Sequence, residues 1–154
     1  MDGTSLRVEG EVGKPQDFDF AALAALPGQV PDIGALIPGR EGGGVWLRSL
    51  LEASVAQPAT RHITLQATDG NFSASVPLEA VVDRAVVVYR LGDDPLPADK
   101  GGPIRFLIKD VEECTIGEVD ACANVKFLGV IQLTQGPGID TRPTTARDHE
   151  ALHE

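Results

Sequence analysis

Five consecutive residues, Gly101-Gly102-Pro103-Ile104-Arg105, combine features suited to holding an anion. Glycines let backbone approach a ligand closely, and their N–H groups can face anionic oxygens. A guanidinium offers a forked donor matched to phosphate or another oxyanion. Arg105 alternates with Ile104 and Phe106 at the head of an apolar run, which a plain strand does not require. Lys126 supplies a second cation as a point charge. The blander readings are a strand-edge arginine paired with one of the many carboxylates, and an exposed strand lysine.

Other residues offer chemistry of a different kind. Cys114 and Cys122 are the only cysteines, and seven residues separate them. Zinc pairs favour spacings of two to four, so free thiols come first, with a disulfide across the loop as the alternative. Asp110, Glu112, Glu113, Glu118 and Asp120 surround them as a solvated acidic loop; a cation site there would lack the spacing and glycine of a calcium loop. His149-Glu150-Ala151-Leu152-His153 matches the H-E-x-x-H pattern, in which two histidines on one helix face can hold zinc. The chain stops one residue later and the preceding RPTTARD is polar, so a frayed tail is expected rather than a protease. Gly42-Gly43-Gly44 reads as a flexible loop entering a helix, or as an anion site at that helix's N-terminus. Trp46 reads as a core residue or a half-buried staple rather than a cofactor platform. There is no G-x-S-x-G nucleophile elbow and no G-x-x-x-x-G-K-[ST] phosphate loop, and no catalytic or metal-binding residue is assigned.

These residues need a scaffold, and composition bounds it. A chain of 154 residues suggests one domain with a real core. Seventeen glycines and eleven prolines favour many turns over long helices. A formal net charge of -10 argues against nucleic acid and anionic membrane as partners, since phosphate binding needs a basic patch. No apolar run is long enough to span a bilayer. The opening MDGTSLRVEGEVG has no signal-peptide character, so the cytoplasm is expected.

Alternation predicts strands at Ser5–Val12 and Arg61–Thr68, with a return strand at Asn71–Val76. Ala85–Leu91, a β-branched run, reads as a buried strand, and further strands are expected at Pro103–Ile108 and Val125–Leu133. Asp69-Gly70 marks a hairpin turn. Helices are expected over Asp17–Leu26, capped by Asp17 or Asp19, and over Val45–Val55, with a helical turn at Pro77–Val82. Gln29–Gly44 is the least regular stretch. Strands and helices mix without regular alternation, which implies α+β. A single domain over residues 1–135 and a polar C-terminal tail over 136–154 are expected.

The order of these signals resembles the sulfite-oxidase-type molybdopterin-binding domain family. Gly10, Val12 and Pro15 match its opening turn before FDFAALAALP. Gly44-Val45-Trp46-Leu47-Arg48-Ser49-Leu50-Leu51 is similar to its G-V-x-L-x-x-L-L segment, and Asp69-Gly70-Asn71-Phe72 to its hairpin. Leu96 through Arg105 resembles L-x-x-x-x-GGPxR, and Val125 through Leu133 resembles VKxLxxIxL. The resemblance implies mixed β-sheets with short helices. It also implies that Gly101, Gly102, Arg105 and Lys126 lie beside the pterin cofactor. Lys100 stands where some relatives carry a histidine. Catalytic relatives bind molybdenum through a cysteine between the first helix and the G-V segment; here that region is GQVPDIGALIPGREGGG, without cysteine. Molybdenum needs a soft anionic donor there. The expectation is therefore a divergent member without redox catalysis and without cofactor, binding a small anionic ligand or a protein partner. The alternative is a molybdopterin-dependent oxidoreductase with an unusual or partner-supplied metal ligand.

Overall fold

A computed structural model describes residues 5–68, 73–109 and 125–136. The Asp69-Gly70 turn, both cysteines with their acidic neighbours, His149, His153 and residues 137–154 of the tail lie outside the described residues.

Among the described residues, ten strands form two five-stranded sheets. The first runs in the order β2 (Gln16–Phe18), β1 (Leu6–Gly10), β10 (Leu128–Thr134), β5 (His62–Ala67), β6 (Ser73–Pro77). β1 and β10 are parallel, with Val8 opposite Ile131, and the other pairings are antiparallel. Alternation decides the burial of this sheet. Leu6, Val8, Ile63, Leu65, Ile131 and Leu133 are buried on one face, while Arg7, Glu9, Gln66 and Gln132 are partly exposed on the other.

The second sheet centres on β7 (Ala85–Leu91). β4 (Gly43–Trp46), itself paired to β3 (Gln29–Val30), lies along one edge of β7. β9 (Arg105–Ile108) and β8 (Asp94–Pro95) follow one another along the opposite edge. Val86, Val87 and Val88 are all buried, so β7 is covered on both faces, as its unbroken β-branched run implies. Ala85, Val87, Tyr89, Phe106 and Ile108 join the first sheet in the main core. Val86, Val88 and Leu107 point the other way, into a smaller cluster with Val30, Ile33 and Leu96, flanked by Leu36, Ile37 and Trp46.

The helices are short, and two differ from expectation. Residues Gln16–Phe18 pair with β1, so α1 spans only Phe20–Ala24. Asp19 caps it, accepting the Ala22 N–H at 2.8 Å. Residues Val45 and Trp46 belong to β4, and α2 is confined to Leu47–Ala53. Cross-strand pairing with Val86 and Val87 overrides the helical spacing of those side chains. The glycine triplet is therefore no loop at a helix N-terminus: Gly43 and Gly44 are buried strand residues, and a Cβ on Gly44 would lie 2.5 Å from the Val87 carbonyl oxygen. α3 spans Leu78–Val81, as its helical turn predicts. Two 3-10 turns, Ile33–Ala35 and Ala98–Lys100, complete the described elements. No helix among the described residues is long and apolar enough to cross a membrane.

A polar relay ties α1 to the second sheet. The Tyr89 hydroxyl donates to Gln29 Oε1 at 2.5 Å, and Gln29 Nε2 donates to the carbonyls of Leu23 and Leu26 behind α1. The Phe20 ring packs edge-on against Tyr89 with centroids 5.4 Å apart.

Candidate functional site

Arg105 is the only charged residue buried among the described residues, at 6% exposure. Strand parity explains its place. Phe106 and Ile108 face the main core, whereas Arg105 and Leu107 share the opposite face. The apolar cluster ends at Leu107, and a cavity of about 250 Å³ begins there, lined by Gly39, Arg40, Glu41, Asp99, Lys100, Arg105, Leu107 and Lys126.

Three chain segments build the cavity. The first crosses the second sheet from the 3-10 turn at Ile33, which donates its N–H to Gly42 O at 2.9 Å, and delivers residues 39–41. The second is the 3-10 turn Ala98–Lys100, closed by Gly101 in the left-handed region at φ +91°. The third is the approach to β10, which lies against the second. Phe127 N–H donates to Gly101 O at 2.8 Å, Leu128 N–H to Ile104 O at 2.7 Å, and Phe106 N–H to Val125 O at 2.8 Å. Lys126 thereby comes beside Arg105, although 20 residues of sequence intervene.

Gly101 makes this convergence possible. A Cβ there would stand 3.1 Å from Arg105 Nη1 and 3.1 Å from Lys126 Cγ, between the two cations. Gly102 is also buried, and a Cβ on it would collide with the Leu96 carbonyl oxygen. The amide groups differ from the sequence expectation. Gly101 N–H donates to Ala98 O and Gly102 N–H to Pro97 O, each at 2.9 Å. Both are consumed by the turn, so the glycines serve close approach and leave donation to the side chains.

Electrostatics mark the cavity as anion-seeking. Arg40, Lys100, Arg105 and Lys126 face two carboxylates, Glu41 and Asp99, in a chain whose net charge is -10. Arg105 Nη1 donates to Lys100 O at 3.1 Å, but its buried Nε has no partner. Burial, and after it the charge of Arg40, lower the guanidinium to about 10. It stays charged at neutral pH, desolvated and without a counter-ion among the described residues. Such a group costs stability unless an anion completes it.

Among the described residues, the donor set suits an oxyanion and supplies no soft donor for a metal-bearing pterin. No lining residue among those described is cysteine or histidine. The segment in which the resemblance places the metal thiolate does reach the cavity, but it presents Gly39, Arg40 and Glu41. A guanidinium repels a metal cation, and a carboxylate is a hard donor where a soft one is required. Among the described residues no three His, Cys, Asp or Glu side chains gather as a metal site.

The structure thus brings Gly101, Gly102, Arg105 and Lys126 together. Sequence reasoning did not single out Arg40, Glu41 or Asp99. The available signal was a cation and a carboxylate placed directly before a glycine triplet, in a segment too irregular to reveal its direction.

Comparison with known proteins agrees with the fold. Residues 39–137 match the family model described as the oxidoreductase molybdopterin binding domain. The crystal structure of the sulfane dehydrogenase SoxCD from Paracoccus pantotrophus is similar with a TM-score of 0.62 at 19% identity, over 86% of this chain and 38% of that chain. This chain therefore spans well under half of that SoxCD chain. No curated protein matches the sequence.

Proposed function

Because this chain belongs to the oxidoreductase molybdopterin binding domain family, we propose that it keeps the family's fold as a non-redox module that binds a small oxyanion beside Arg105. The buried, partnerless Nε of Arg105 in a cation-rich cavity carries this reading. The absence of a soft donor among the described lining residues supports the non-redox part. In this reading Arg105 is the forked donor and Lys126 adds charge from the solvent side. Gly101 and Gly102 lack side chains and so let Arg105, Lys126 and the Leu96 backbone close around the turn that borders the pocket. The domain is taken as residues 1–135 with 136–154 as its polar tail. The setting is taken as the cytoplasm, with a small anion or a protein as partner and neither nucleic acid nor membrane.

Thermal unfolding in inorganic phosphate tests the pocket. The wild type should gain melting temperature with added phosphate, Arg105→Ala should not, and the exposed Lys126→Ala should gain less than the wild type. A wild type that shows no gain overturns the reading. Production in a host that makes molybdopterin tests the non-redox claim. Substoichiometric molybdenum is expected, whereas one molybdenum per chain would favour an oxidoreductase whose metal ligand is unusual or supplied by a partner.

A further inference from the structure

Two loops meet above Arg105, one carrying Arg40 and Glu41, the other Asp99 and Lys100. An ion pair joins them: Lys100 Nζ lies 2.5 Å from Glu41 Oε1. Both side chains keep contact with solvent, at 38% and 64% exposure. The pair lowers the Glu41 carboxyl below its ordinary range, through the Lys100 hydrogen bond first and its charge second. It raises Lys100 for the same reasons in reverse. Asp99, the other carboxylate of the lining, makes no ion pair among the described residues.

The four cations therefore differ in availability. Arg105 is buried and short of an acceptor, whereas Lys100 already has one. The Glu41 carboxylate stands as an oxyanion at the wall of a cavity suited to oxyanions. We propose, on the basis of the anion-pocket reading, that Glu41 is a built-in competitor that occupies Lys100 in the free protein. An incoming anion meets Arg105 first and engages Lys100 only by displacing Glu41, which swings into solvent. The displacement is easy, because a solvent-exposed ion pair is weak and screened by salt. Glu41 thus tunes affinity rather than switching the site on and off.

Calorimetric titration with inorganic phosphate at low salt tests this. Glu41→Gln should tighten phosphate binding by about threefold to fivefold, the scale of an exposed ion pair. Asp99→Asn removes the same charge from the same cavity without freeing Lys100, and should tighten it by less than about twofold. In a Lys100→Ala background, Glu41→Gln should fall to the level of Asp99→Asn. All three side chains are at least partly exposed, so the variants should fold. Equal effects of Glu41→Gln and Asp99→Asn, or an undiminished effect without Lys100, would overturn the competitor and leave the pocket standing. Absence of phosphate binding in both the wild type and Glu41→Gln would overturn the pocket itself.

Discussion

The two faces of β9 use adjacent residues for opposite purposes. Phe106 and Ile108 enter a core closed by the first sheet, among buried apolar side chains. Arg105 and Leu107 face a cover made of turns, and this side opens into a charged cavity. A sheet laid over a sheet excludes water along its whole length. A loop laid over a sheet excludes it only where apolar side chains such as Ile33, Leu36 and Ile37 reach down. Beyond them a charge can be partly desolvated without being matched. The fold thus separates stability from recognition by one step of strand alternation.

Graded substitutions test that separation. Phe106→Ala should be the most damaging, at about 3–5 kcal/mol in urea unfolding, because two packed sheets cannot collapse around the void. Leu107→Ala should cost about 2–3 kcal/mol, since the loop side can relax; a cost equal to that of Phe106→Ala would erase the contrast. Arg105→Met should move stability the other way, raising it by about 1–2 kcal/mol in phosphate-free buffer, because an uncompensated buried charge is removed. The sign follows from linkage. The unfolded chain holds the Arg105 proton more tightly than the folded one, so this group opposes folding at neutral pH. The penalty fades only as pH rises above about 10. The advantage of Arg105→Met over the wild type should therefore shrink in alkali.

The smallest effect belongs to the rim. The Glu41 carboxyl is lowered by Lys100, so its contribution is present above the ordinary carboxylate range and is lost as pH falls through the folded value. Glu41→Gln should flatten that acid limb slightly, and salt of about 0.5 M should abolish the difference.

Strand identity was largely legible in the sequence because alternation and β-branched runs are local properties. AVVVYRL announced a strand covered on both faces, and β7 is one. Boundaries failed where a distant partner decides. Val45 and Trp46 fit a helical stripe but pair with β7. Two cavity-lining residues, Arg105 and Lys126, were legible as a motif plus a distant lysine. Arg40, Glu41 and Asp99 were not, because their place depends on how an irregular loop crosses a sheet. The fate of the Gly101 and Gly102 amides was hidden for the same reason: only the closed turn shows that Pro97 and Ala98 take them.

β10 lies between β1 and β5, so the centre of the first sheet comes from the C-terminal part of the described chain. During synthesis, the strand from residues 6–10 must wait for residues 128–134 before it can pair with them. The second sheet draws its strands from residues 29–108 and can close earlier. A nascent chain paused between these points would hold the arginine side of the cavity without Lys126, and would leave Leu6, Val8, Ile63 and Leu65 lacking their neighbour. Such an intermediate is a natural client for a holding chaperone.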